Sequence, residues 1–227
     1  MRGEQGAVVA QLTALVGDLQ RRPPGISGGM SEIVDSAARH VPGAQYAAIT
    51  EVRENSKIAT IAPTGREPVL LDEIQQRHWE GPCVSAAWEH HTVRVDDLDA
   101  DTRWPNFRRD ALAETSVRSI MAFELFVGKV VTGALNFYAD SPRAFDEDSL
   151  ELGMIFATHT ALAWSVLRRD EEFRSALASR DLIGQAKGMI MERYRIDAVG
   201  AFELLKRLSQ ESNTKLVEVA QRVVAAE

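Results

Sequence analysis

Residues 181–194, DLIGQAKGMIMERY, decide how the C-terminal part of this chain folds. Their apolar side chains recur at helical spacing. Projected at about 100° per residue, Leu182, Ile183, Ala186, Met189 and Ile190 fall into one band. Beside it Arg180, Gly184, Lys187, Met191 and Tyr194 line a second stripe. That flank gathers two cations, a thioether, an aromatic ring and a missing side chain. Lys and Arg meet phosphates, Tyr and Met offer surfaces to unstacked bases, and Gly permits close backbone approach, which is what an RNA loop would use. A second reading of the same residues is a solvated flank, with Met191 and Tyr194 laid against the next helix.

Working outward, helical periodicity continues on both sides. Three amphipathic helices are predicted at 180–195, 198–211 and 214–226, with Asp197 as N-cap of the second and Asn213 or Thr214 of the third. Ala201, Leu205 and Leu208 form the apolar face of the second; Leu216, Val219, Ala220 and Val223 form that of the third. Short connections make these a small bundle. On the N-terminal side, all eight prolines lie at or before Pro142. Proline removes a helix donor and fixes φ, so its absence predicts one helix from Asp146 through Tyr194, roughly 70–75 Å long. Leu150, Met154, Ala157, Ala161 and Trp164 follow the 4-3-4-3 spacing of a coiled-coil seam, which ends at the charged run RRDEEFR, 168–174. Those residues suit either a dimerising helix or a terminal helix packed on its own sheet.

Before residue 145 the pattern changes. GAVVAQLTALVGDLQRR is helical up to Pro23-Pro24, and SEIVDSAARHVPG is a second helix with Ser31 as a possible N-cap. QYAAITEV and SKIATIAPT read as short strands, VLLDEIQQRHWE as a helix, and SIMAFELFVGKVVTGALNFYA as two strands joined at Gly128-Lys129. Strands in the middle with helices at both ends indicate an α+β sheet domain.

Composition narrows the function. The 227 residues are 45% hydrophobic and 26% charged, as in ordinary globular chains, and no run of about 18 apolar residues suggests a membrane span. The N-terminus has no continuous apolar core of a signal peptide. A single cysteine cannot form an internal disulfide and fits a cytoplasmic setting. A formal charge of −7 argues against non-specific coating of nucleic acid. From Arg180 onward, however, 8 Lys/Arg face 7 Asp/Glu, so the acidity sits in the earlier residues.

Catalytic and metal signals are weak. GQAKG lacks the strand and the Gly-Lys-Ser/Thr element of a phosphate loop. His90-His91 have no ligand-spaced Cys or carboxylates nearby. Cys83 follows Gly-Pro at a possible helix start, which could lower a thiol pKa, but no paired base accompanies it. Asp96, Asp97, Asp99 and Asp101 read as a solvated loop after a strand. With no triad, kinase or cyclase signature and no evident cofactor, the chain does not read as an enzyme.

Two resemblances sharpen this. EGPCVSAAWEHHTVRVDDLDADTRWPNF, followed by SVRSIMAFELFVGKVVTGALNFYADSPRAFDEDSLELGMIFATHTALA, resembles the GAF sensory domain of actinobacterial type. RDLIGQAKGMIMERYRIDAVGAFELLKRLSQESNTKLVEVAQRVV resembles the ANTAR domain, the RNA-binding output module of bacterial antiterminators, departing from the usual pattern at Gly200, where an acidic residue is common. The resemblance implies an N-terminal helix at 1–27, a GAF domain at 28–165, a helical linker at 166–179 and an ANTAR domain at 180–227. It also implies a central antiparallel sheet flanked by helices in the GAF domain, a homodimer that binds two adjacent RNA hairpins with hexanucleotide loops, and room for a small-molecule GAF ligand of unknown identity, since GAF pockets in general hold cyclic nucleotides, haem, bilins or nothing. Candidate RNA contacts are Arg180, Lys187, Met191 and Tyr194 on the stripe, with Arg207, Ser209, Asn213 and Lys215 around the second connection. The alternative is a DNA-binding regulator whose recognition helix would be TKLVEVAQRVVAAE, where Glu218 and Glu227 offset Lys215 and Arg222.

Overall fold

The computed structural model describes Gly6 and residues 26–53, 57–89, 92–126 and 132–226. The chain divides into two compact units, Met1–Arg168 and Arg169–Glu227. The predicted helix before Pro23, the Gly128-Lys129 turn and His90-His91 lie outside the described residues.

The first unit is built on strands β1 (Tyr46–Arg53), β2 (Lys57–Ile61), β3 (Val93–Val95), β4 (Ser119–Phe126) and β5 (Thr132–Ala139). They form a five-stranded sheet in the order β2-β1-β5-β4-β3, and every neighbouring pair is antiparallel. Successive side chains leave a strand on opposite faces, so the sheet feeds two cores. Ile49, Met121, Phe123, Leu135 and Phe137 pack with Met30, Ile33 and Val34 of helix α1 (Ile26–His40) and with Phe156, Trp164 and Leu167 of the long helix α5 (Glu147–Tyr194). Ile120, Ala122, Ala134 and Tyr138 face the other core, closed by α2 (Glu67–His78), α3 (Pro82–Glu89) and α4 (Pro105–Glu114). The architecture is the α+β layering that the strand and helix periods predict.

The reading of Ser31 as a cap is corrected here. Helix α1 starts at Ile26 rather than at Ser31, so Ser31 is interior and does not cap it. Met30, Ile33, Val34 and Ala37 are fully buried, and that i, i+3, i+4, i+7 face holds the helix across Gly28 and Gly29. Of the two readings of the 4-3-4-3 seam, most of its residues follow that of a helix packed on its own sheet. Ala157 and Trp164 lie in the core, Leu150 and Ala161 pack against it, and Met154 is exposed. The sheet requires this cover: a Cβ on Gly133 of β5 would stand 2.8 Å from the Trp164 ring. Part of α5 is apolar enough to cross a membrane by length and composition, with 44% of that window buried. Covering a sheet demands the same apolarity.

In the second unit α5 packs with α6 (Ala198–Glu211) and α7 (Leu216–Ala225). Ala186, Ile190, Ala201, Leu205, Val219 and Ala220 form the core, and the alanines let the three helices approach closely. Asp197 caps α6 as predicted, its carboxylate accepting from the Gly200 N–H at 2.8 Å. Neither Asn213 nor Thr214 caps α7; Lys215 stands at that N-cap without a side-chain bond. Asn213 closes α6 instead, with φ at 46°, because the Ser209 hydroxyl ties down the Thr214 carbonyl at 2.6 Å and draws the chain round.

Candidate functional site

In the first unit the alternation that buries Ala134 and Tyr138 also carries polar side chains inward. Thr50 of β1 and Asn136 of β5 face α2 and α3, where Asp72 and Gln75 meet them, and all four are buried. Asp72 accepts from the Thr50 hydroxyl at 2.8 Å, the Thr60 hydroxyl at 2.8 Å and the Gln75 amide at 3.0 Å. Gln75 turns its oxygen to the Cys83 backbone N–H at 2.9 Å, at the start of α3. The Asn136 amide donates to Thr50 at 2.7 Å, whereas its oxygen has no partner among the described residues. Burial pushes the Asp72 carboxyl up to about 7, against the pull of its three donors. Cys83 lies 3.5 Å from the Tyr138 hydroxyl, and burial with the nearby Asp72 charge pushes its thiol up to about 12. Desolvation outweighs any help that a helix start gives the thiolate, in keeping with a thiol that has no paired base. The Asp96–Asp101 loop is satisfied locally, with Asp96 paired to Arg94 at 2.6 Å and Asp99 to Arg108 at 3.2 Å.

Sequence reading missed the Asp72 cluster. Thr50 and Asn136 are polar residues on the inward face of mostly apolar strands, and that was the available signal; Asp72 offered none. What joins them is strand pairing: Thr50 stands opposite Ala134 across β1 and β5, one pleat from Asn136.

In the second unit the stripe is partly realised. Arg180 and Tyr194 are exposed and Lys187 is half-buried, with Tyr194 at 61% exposure. Gly184 and Gly188 are also exposed, and a Cβ at either would meet nothing within 4 Å, so the helix backbone is open to approach there. Met191, by contrast, is partly buried against the three-helix core. Arg207, Asn213 and Lys215 are exposed near the α6–α7 connection, while the Ser209 hydroxyl is used inside the chain. Among the described residues Arg180, Lys187, Arg207 and Lys215 make no ion pair, although Arg174 and Lys206 do. Unpaired cations beside open backbone suit a polyanion.

Asn213 is separable from its neighbours. A left-handed φ suits Asn and Gly and strains Ala. Asn213→Ala is expected to cost the second unit about 1 kcal/mol in thermal or urea unfolding, and Asn213→Gly much less. Equal losses for both would show that the side chain, not the backbone, stabilises the turn.

Comparison with known proteins agrees with this division. The profile for the GAF domain matches residues 29–165, and that for the ANTAR domain matches residues 171–224. A search of the curated proteins found no match. Among solved structures, the free methionine-R-sulfoxide reductase from Neisseria meningitidis is 18% identical with a TM-score of 0.54, covering 72% of this chain and 89% of its own. The GAF domain from Acinetobacter phosphoenolpyruvate-protein phosphotransferase is 14% identical with a TM-score of 0.53, covering 73% of this chain and 95% of its own. A phycoerythrobilin-bound GAF domain from a cyanobacterial phytochrome is 16% identical with a TM-score of 0.53, covering 74% and 97%. At such identities the likeness concerns the fold alone.

Proposed function

The chain belongs to the GAF family and carries an ANTAR domain behind its GAF domain, and from that premise we propose that it is a cytoplasmic, signal-controlled RNA-binding antiterminator rather than an enzyme. GAF is a sensor domain and ANTAR an RNA-binding antitermination output domain. The reading divides the chain into a sensor at 28–165, a helical linker at 166–179 and an output domain at 180–227. The observation that carries it is the coincidence of the ANTAR match with the open backbone at Gly184 and with the exposed cations Arg180, Arg207 and Lys215, which make no ion pair among the described residues.

The target is an RNA with two adjacent hairpins bearing hexanucleotide loops, engaged by a homodimer. Support for pairing comes from apolar residues on α5 that the first unit's core does not cover. Met154 is 52% exposed and Leu162 56%. In the second unit Phe173 and Leu177 are exposed on the same helix. A second copy's helix is the natural cover for such side chains. The GAF domain's input is a small molecule of unidentified class. A weakly paired helix lets modest binding energy there shift the population of dimers.

Sequencing RNA crosslinked to the protein in cells tests this function directly; tandem hairpins should dominate the recovered fragments. For the helix face, Lys187→Ala is expected to weaken binding to a two-hairpin RNA without loss of helicity. Losing one phosphate contact should also flatten the plot of log affinity against log salt by about 0.7–0.9. An unchanged slope and affinity would remove Lys187 from the interface.

A further inference from the structure

We propose that the cavity at the C-terminal end of α5, closed by α6 and α7, seats one unstacked base of the RNA loop, with Arg193 and Arg222 holding the phosphates on either side of that base. The inference rests on the RNA-binding reading above and names a site within it. The cavity has a volume of about 340 Å³, near the lower end of pockets that hold small planar molecules. Met189, Leu208 and Val223 give it an apolar floor, Tyr194 stands beside them, and among the described residues no carboxylate lines it. Arg193 and Arg222 come from different helices, are exposed, and make no ion pair among the described residues. Ser212 also lines the cavity; its hydroxyl donates to the Leu208 carbonyl at 2.6 Å, which leaves its oxygen to accept from a base amino group.

These features select the occupant. An apolar slot with an aromatic wall suits a flat ring, and two guanidinium groups without carboxylates suit anions beside it. A nucleotide within an RNA strand combines both, since each base is flanked by phosphates. Tyr194 belongs to the cavity lining and to the cationic stripe, so a strand lying along the stripe reaches the cavity without a break.

The test uses the full chain and a two-hairpin RNA in which each loop position is made abasic in turn. One position should cost the wild-type protein roughly tenfold to hundredfold in affinity, the loss of one stacked base. Leu208→Trp, which fills the cavity, should weaken binding of the intact RNA by a similar factor and make that abasic position harmless. Arg222→Ala, an exposed change, should weaken binding several-fold and reduce the salt slope by about 0.7–0.9. If circular dichroism shows Leu208→Trp unfolded, Arg222→Ala paired with the same abasic RNA supplies the non-additivity. Tight wild-type binding with every abasic position tolerated, or with losses that simply add, overturns the base site and leaves the RNA-binding reading intact. Absence of binding by the wild-type chain overturns that reading, and the base site with it. Binding of an acidic peptide or an aromatic carboxylate at this cavity, with no effect of Leu208→Trp on RNA affinity, overturns the choice of occupant.

Discussion

Replacing Leu162 by Glu is expected to lower affinity for an RNA with two adjacent hairpins by about 10²–10⁴-fold and to leave affinity for one hairpin unchanged. The factor is avidity: when two copies are joined, the second hairpin is captured from an effective concentration rather than from bulk solution. At about 1.4 kcal/mol per tenfold it corresponds to roughly 3–5.5 kcal/mol with no contact to RNA altered. Leu162 is the appropriate site because it is 56% exposed, so a carboxylate there leaves the sheet core undisturbed. Ala161, the seam residue beside it in the chain, packs against that core and would confuse dimer loss with unfolding. Solution mass should fall to that of one chain in the variant. A demonstrably monomeric variant that still binds two hairpins at wild-type affinity would show that one chain reads both loops.

Raising the pH from 5 to 8 is expected to cost the first unit about 2–3 kcal/mol through Asp72. The sign follows from the direction of the shift. Burial raises the folded-state value from the ordinary 3.8 to about 7, so the folded protein holds a proton that the unfolded chain has released. This contribution is fully present below about pH 4, declines as pH rises through about 7, and is absent above it. Asp72→Asn removes the titration while keeping an amide that can bond to Thr50, Thr60 and Gln75. Urea unfolding of wild type and variant across this range should therefore give curves that converge or cross with pH, the wild type losing ground toward pH 8. Parallel curves would show that the carboxylate keeps one charge state throughout.

Much of the fold and part of the candidate site were legible in the residues. The absence of proline after Pro142 predicts the long helix, and the structure runs it from Glu147 to Tyr194 without a break. Strand alternation predicts the strands of an α+β sheet domain, and the GAF resemblance its antiparallel order. Asp197 is recognisable as a cap because the Asp side chain needs only the N–H three residues later. Asn213 misled for the same local reason: Asn serves both as an N-cap and as a left-handed residue, and spacing alone does not separate the two.

Burial was harder to read than periodicity. Over the two turns from Ala157 to Trp164, a 3.5-residue seam and a 3.6-residue core face select nearly the same residues. Only the sheet, and the space above Gly133, assigns Trp164 to the core and leaves Leu162 outside. Helical projection likewise puts Met189 in the core band and Met191 on the flank. The packing of α6 and α7 puts Met191 against the core and Met189 at a cavity. Asp72 is the sharpest case, for nothing in VLLDEIQQRHWE distinguishes it from a solvated helix carboxylate. The sequence by itself determined the helix and strand periods, their order and the cationic composition of one helix flank, because those depend on spacing along the chain. Tertiary structure alone decided which apolar residues remain uncovered and which carboxylate is deprived of water, because burial depends on residues that the chain brings together from far apart.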